Sequence, residues 1–152
     1  MKFNLKFNNP DLLQQAFIHR SYLNEHSEIK LDHNERLEFL GDAVLELSVT
    51  EFLFAKYPER PEGELTAFRA ALVNTETLSQ VAGEIGLGDS ILLSKGEAKD
   101  NGRARQAILA DTFEAVTGAI YLDKPAVVDK NIITARHPRD VGELMKAILS
   151  KF

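Results

Sequence analysis

Glu35, Glu38 and Asp42 stand at i, i+3 and i+7, and Asp111 and Glu114 at i and i+3. At about 100° per residue each set shares one helix face. Like charges so spaced repel by a few tenths of a kcal/mol per pair on an exposed helix, and burial raises that cost. Both sets are embedded in apolar sequence: Leu37, Phe39, Leu40, Val44 and Leu45 around the first, Ile108, Leu109, Phe113 and Val116 around the second. Two such helices facing one another would form an all-oxygen cage, a donor set that suits Mg²⁺ or Mn²⁺ and not zinc. The same spacing fits a solvated face with salt bridges to Arg36, Arg69 or Arg105, and spacing alone does not choose between the two.

The elements that must carry these residues read as nearly all helix. Asn9 and Pro10 give a cap and a first-turn proline for a helix over 10–22, followed by a polar loop over 24–33. Asn34 can cap a helix running to Lys56, stopped by Pro58 and Pro61. Its apolar residues fill more than one stripe, so it is expected to be central and buried on most sides. Shorter helices are predicted over 62–73 and 75–85, with Asn74 or Thr75 as cap and Gly86 as stop. A polar, glycine-punctuated loop covers 94–105, and a last strong helix covers 105–122. The tail holds Pro125, Pro138 and β-branched pairs at Val127-Val128 and Ile132-Ile133, with no convincing strand pair. An amphipathic helix is expected over 140–151, its apolar face (Val141, Leu144, Met145, Ile148, Leu149, Phe152) docked on the core.

Composition bounds the function. One all-α domain over residues 1–152 fits the length, and 44% hydrophobic residues suffice for a core. With no cysteine, disulfides, thiolate zinc sites and a cysteine nucleophile are excluded. The N-terminus has no apolar signal-like run and no stretch approaches the ~20 apolar residues of a membrane span, so a cytoplasmic protein without a membrane partner is expected. The net charge of −5 argues against a broad basic nucleic-acid face. Its distribution softens that: residues 1–123 carry 12 Lys/Arg against 20 Asp/Glu, and residues 124–152 carry 6 against 3. Divalent cations bound by the acids would offset part of the excess and let an acidic protein meet phosphates.

The run His33-Asn34-Glu35-Arg36-Leu37-Glu38-Phe39-Leu40-Gly41-Asp42-Ala43-Val44-Leu45 resembles the signature helix of the ribonuclease III family. His19-Arg20-Ser21-Tyr22, then Glu62-Gly63-Glu64 with Leu65 to Val73, then Ile108 to Ala115 resemble further segments in the family's order, so the likeness covers about residues 5–123. It implies the helical fold of a bacterial-type ribonuclease III endonuclease domain. It implies Glu38, Asp42, Asp111 and Glu114 as catalytic metal ligands for Mg²⁺, with Mn²⁺ able to substitute. Glu35 and Glu62 match two further acids of the cleft, there to hold water or ribose hydroxyls. Lys95, Lys99, Arg103 and Arg105 match a phosphate-contacting loop, and Phe39 a homodimer interface. Glu46, one turn beyond Asp42, falls outside the motif and reads as a surface or dimer-contact acid. His19 reads as a helix-end hydrogen-bonding residue, His26 as a loop residue and His33 as a capping or packing residue.

The implied activity is hydrolysis of double-stranded RNA, ribosomal RNA processing included. Two metals ~4 Å apart would lower the pKa of water and stabilise the leaving 3′ oxygen. A two-fold dimer would cut both strands, leaving 5′-phosphate and 3′-hydroxyl ends with short 3′ overhangs. Bacterial relatives usually append a double-stranded-RNA-binding domain; the 152 residues end without one, whether it was removed or is naturally absent, and residues 124–152 depart from the family pattern. Lys124, Lys130, Arg136 and Arg139 there are either solvated or help to hold phosphates. Two other readings use the same residues: a non-catalytic RNA-binding or scaffold module of this fold, which would lose the acids, and a metal phosphohydrolase acting on nucleotides.

Overall fold

The computed structural model describes residues 7–99, 103–123, 127–129 and 132–134, and the domain they form is helical, as expected. Helix α1 (Pro10–Ala16) opens where Asn9 accepts the Asp11 N–H at 3.1 Å, with Pro10 in the first turn. The single helix expected over 10–22 is broken, however. Ile18 forms a parallel bridge with Leu92: Leu92 N donates to the Phe17 carbonyl at 2.8 Å and His19 N to the Leu92 carbonyl at 3.1 Å. Backbone groups that a continuous helix would have used are thus taken by a distant segment, and Ile18 becomes fully buried. The chain re-enters helix as α2 (Arg20–Leu23), capped by His19.

Helix α3 (Glu35–Lys56) is the axis of the domain. Asn34 precedes it but makes no side-chain cap, because its own backbone is already helical. Its buried side chain donates to the Ala16 carbonyl at 3.3 Å and its N–H to the Ile18 carbonyl at 2.9 Å, pinning the start of α3 to the end of α1. Helix α4 (Glu62–Leu72) follows Pro61. Helix α5 (Thr75–Glu84) is capped by Asn74, which accepts the Thr77 N–H at 2.9 Å. The chain leaves it through Gly86 at φ 77, a conformation that favours glycine. Two 3-10 turns, Leu87–Ser90 and Glu97–Lys99, lead to α6 (Arg103–Asp123).

The core lies between α3, α5 and α6. Leu45, Val49 and Leu53 of α3, Leu78 and Val81 of α5, and Phe113, Val116 and Ala119 of α6 belong to one buried cluster. Thr112 and Thr117 are buried in α6 and return their hydroxyls to the carbonyls of Ile108 and Phe113, at 2.7 and 2.9 Å, so neither leaves an unpaired donor. Beyond α6, β1 (Val127–Asp129) pairs antiparallel with β2 (Ile132–Thr134), with Val127 opposite Thr134. No strand pair is expected there from the sequence; the β-branched residues noted in both segments favour the extended backbone. The helix expected over 140–151 and the cations Lys124, Lys130, Arg136 and Arg139 lie outside the described residues. Among the described residues no helix is long and apolar enough to cross a membrane.

Candidate metal centre

Helices α3 and α6 share the largest interface of the domain, and two glycines set its depth. A Cβ added to Gly41 would overlap the Glu114 carbonyl, and one added to Gly118 would overlap the Leu37 carbonyl. Backbone therefore packs on backbone where the helices cross. Glu38 and Asp42 flank Gly41, and Glu114 lies one turn before Gly118, so the crossing presses the two acidic stripes together.

One carboxylate oxygen from each of Glu38, Asp111 and Glu114 lies within 4.8 Å of the others. All three side chains are partly buried, and Asp42 stands exposed at the edge of the group. Burial pushes the Glu114 carboxyl up to about 8, helped by the charges of Asp42, Asp111 and Glu38. Burial, then Asp111, Glu35 and Asp42, pushes Glu38 up to about 7. Asp111 is raised by burial and by Glu35, and drawn down by His19. Among the described residues no Lys, Arg or His nitrogen forms an ion pair with Glu38, Asp42, Asp111 or Glu114. The solvated-face alternative needed such partners. Arg69 instead donates to the Thr50 hydroxyl at 3.0 Å and Arg105 to the Gly88 carbonyl at 3.2 Å. Converging, mutually repelling oxygens that no ion pair neutralises among the described residues suit a hard divalent cation, which would supply the missing charge.

The other expected site residues fall in three places. Glu35 is at the rim, where Arg20 approaches it at 3.4 Å and His33 at 3.8 Å. Glu62 is not gathered in: it accepts from Thr66 at 2.7 Å and lines a separate concavity of about 390 Å³ with Thr50, Phe54 and Arg69. Thr50 lies twelve residues along α3 from Glu38, about 18 Å by the helical rise, so Glu62 is at the other end of the axis. Lys95 and Lys99 are exposed on a loop fastened to α2, where Ser94 N–H donates to the Ser21 hydroxyl at 3.1 Å and Lys95 N–H to Glu25 at 3.3 Å. Arg103 begins α6, and Arg105 is half-buried. Phe39 is 82% exposed on α3.

His26 stacks on Tyr22 with ring centres 4.0 Å apart, and His33 accepts the Glu35 N–H at 3.4 Å, as a residue that caps the start of α3. The paired glycines and the nearness of His19 to Asp111 are what the sequence reading missed. A glycine inside an apolar helix costs about 1 kcal/mol relative to alanine, so Gly41 and Gly118 were signals of a close crossing.

The Ribonuclease-III-like family matches residues 9–139 of the chain. Ribonuclease 3 of Staphylococcus saprophyticus is 56% identical over 123 residues, which are 81% of this chain and 50% of that protein. Ribonuclease 3 of Streptococcus gordonii is 52% identical over 132 residues, 87% of this chain and 57% of its own. The chain thus spans about half the length of the curated relatives it matches. In structure it is similar to the nuclease domain of ribonuclease III from Campylobacter jejuni, with a TM-score of 0.77 at 36% identity, over 96% of this chain and 90% of that one. That domain is described for structural flexibility in a region involved in dimer formation. Dicer from Pichia stipitis aligns at a TM-score of 0.64 and 26% identity, over 97% of this chain and 57% of its own.

Proposed function

This chain belongs to the ribonuclease III family, and we propose that it is an endoribonuclease that hydrolyses double-stranded RNA with Mg²⁺ or Mn²⁺. The observation that carries the reading is the convergence of Glu38, Asp111 and Glu114 within 4.8 Å, with no ion pair to any of them among the described residues. Those three residues and Asp42 would hold the metal. Two divalent cations, when bound, would supply Lewis-acid neutralisation of the charge that grows on the phosphorane oxygens and the leaving 3′ oxygen, and would lower the pKa of water. The carboxylates balance most of the charge of such a pair and need no side-chain nucleophile. Lys95, Lys99, Arg103 and Arg105 are assigned to backbone phosphates, the contacts by which duplex RNA is held without base readout. Products with 5′-phosphate and 3′-hydroxyl ends follow from breaking the bond on the 3′-oxygen side. RNA processing in the cytoplasm, ribosomal RNA included, is the proposed setting.

A homodimer completes this proposal. Residues 39, 43, 47, 50 and 54 lie within about 80° on α3 at 100° per residue. Phe39, Leu47 and Phe54 among them are 82%, 51% and 73% exposed, the large apolar side chains that the described domain leaves to solvent. A two-fold axis across the middle of this stripe lays the two α3 helices antiparallel. Phe39 then meets the Phe54 end of the other protomer, beside the concavity that Glu62 lines. Such packing gives Glu62 a route to the partner's cage that it lacks within its own chain. Two cages facing one duplex account for short 3′ overhangs.

The test is incubation of the chain with labelled duplex RNA, single-stranded RNA and free nucleotides in Mg²⁺, resolved on a sequencing gel. Cleavage of the duplex alone, lost in EDTA, is expected. Hydrolysis of nucleotides instead, or no metal-dependent cleavage of any of the three, would overturn the reading. Ca²⁺, larger and looser in its coordination, is expected to support RNA binding with little hydrolysis.

A further inference from the structure

His19 stands outside both acid-bearing helices, yet hydrogen bonds hold it at the rim of the cage. The preceding Ile18 carbonyl accepts the Asn34 N–H at 2.9 Å, and the Asn34 carbonyl accepts the Glu38 N–H at 2.9 Å. The following Arg20 reaches Glu35 at 3.4 Å. His19 therefore sits between two residues tied to the first turn of α3, close enough that a positive charge on its ring would draw the Asp111 carboxyl down. Its ring is also held. Nδ1 lies 2.7 Å from the Ser21 hydroxyl and accepts the Ser21 N–H at 3.3 Å, while that hydroxyl oxygen accepts the Ser94 N–H at 3.1 Å. With Nδ1 engaged as an acceptor, the neutral ring carries its hydrogen on Nε2, and a protonated ring carries one there as well. Among the described residues Nε2 makes no hydrogen bond or ion pair. A half-buried ring is thus fixed beside the cage with one N–H unused, on the same hydrogen-bonded unit that carries Lys95.

On the reading of the chain as a double-strand-specific ribonuclease, we propose that His19 is a substrate-contacting residue whose Nε2–H donates to a phosphate oxygen of the RNA strand seated at the cage. The Ser21–Ser94 link then sets the ring and the basic loop in one orientation, so that both address the same backbone. The competing account is that His19 only caps α2.

Two substitutions separate the accounts. His19→Asn keeps a side-chain acceptor for the Ser21 N–H, since asparagine is among the best caps, but has no donor at the Nε2 position. His19→Gln can place an N–H near that position and gives up the cap. Binding of a labelled RNA duplex to the full chain is read by fluorescence anisotropy in Ca²⁺, with Mn²⁺ affinity and thermal melting measured on the same samples. The expected result is roughly tenfold weaker RNA binding by His19→Asn, the scale of one hydrogen bond to a charged group, with Mn²⁺ affinity and melting unchanged. His19→Gln should recover most of the RNA affinity. RNA binding by His19→Asn equal to wild type would overturn the proposal, and so would a loss confined to Mn²⁺ affinity. A wild-type chain that binds no duplex RNA would sink the nuclease reading itself and this assignment with it.

Discussion

A carboxyl pushed up to about 8 at Glu114 and about 7 at Glu38 keeps its proton in the folded chain where the unfolded chain, at its ordinary 4.5, has released it. Between those values the folded state binds more protons, so metal-free stability falls as pH rises from about 4.5 to about 8. Cations compete for the same oxygens, so Mg²⁺ should stabilise the chain increasingly over that window. Glu114→Gln removes the titration and the repulsion together. In EDTA at pH 8 it should melt a few degrees above wild type by calorimetry, with the gap closing toward pH 4.5, and it should not cleave duplex RNA at any pH. Wild-type cleavage by Glu114→Gln would remove Glu114 from the site. The identities of Glu38, Asp111 and Glu114 were legible in the sequence, first as helical spacing and then through the signature run. Their raised proton affinity was not, because it arises from burial and from charges on the facing helix, which no spacing within one helix reports. Glu62 shows the converse: its place in the motif was legible, and its distance from its own chain's cage was not.

The crossing of α3 and α6 converts these side-chain properties into a site, and glycine is what permits it. Alanine at position 41 or 118 puts a methyl group into a facing carbonyl. The helices must separate, and overpacking of this kind costs about 1–3 kcal/mol. Separation also spreads the carboxylates, so Mn²⁺ affinity measured on Gly118→Ala should fall beyond what its lower melting temperature explains. Gly83 provides the contrast. It is exposed in α5 with nothing within 4 Å of an added Cβ, so Gly83→Ala should stabilise the chain by about 0.5–1 kcal/mol through helix propensity. If both substitutions change stability in the same direction, the crossing is not the constraint inferred here. Helices α3 to α6 were readable to within a residue or two, because proline, asparagine and glycine mark their ends by local rules. The break at Phe17–His19 was not readable, since the backbone partner that ends α1 is Leu92 and local signals carry no trace of it. The same limit hid the pairing of β1 with β2, although the β-branched residues on both sides were in view.

For the molecule as a whole, the proposed function sets a tension: an acidic chain with an apolar face would have to act on a polyanion. On that reading the cage would need its acids for metals, so phosphate affinity would come from a small loop and from the cations it held, which leaves little to spare for one protomer. Doubling the site over a two-fold axis raises avidity for a duplex without adding positive charge to either chain. The face available for it is the stripe that ends in Phe39 and Phe54, where exposed phenylalanines would otherwise stand in water. Phe39 is the more exposed of the two and lies one residue from Glu38, so burying it across such an axis would also order the first turn of α3. An aspartate at that position would have to be buried without a counter-charge or leave the interface. Phe39→Asp should therefore sediment as a monomer at micromolar concentration while keeping its helical circular dichroism. It should fail to cut both strands of a short duplex, with any residual product nicked on one strand only. Mn²⁺ affinity should persist through Glu38, Asp42, Asp111 and Glu114, which separates loss of the dimer from loss of the site. A wild-type chain that sediments as a monomer at that concentration and still makes paired, staggered cuts would remove the dimer from the mechanism.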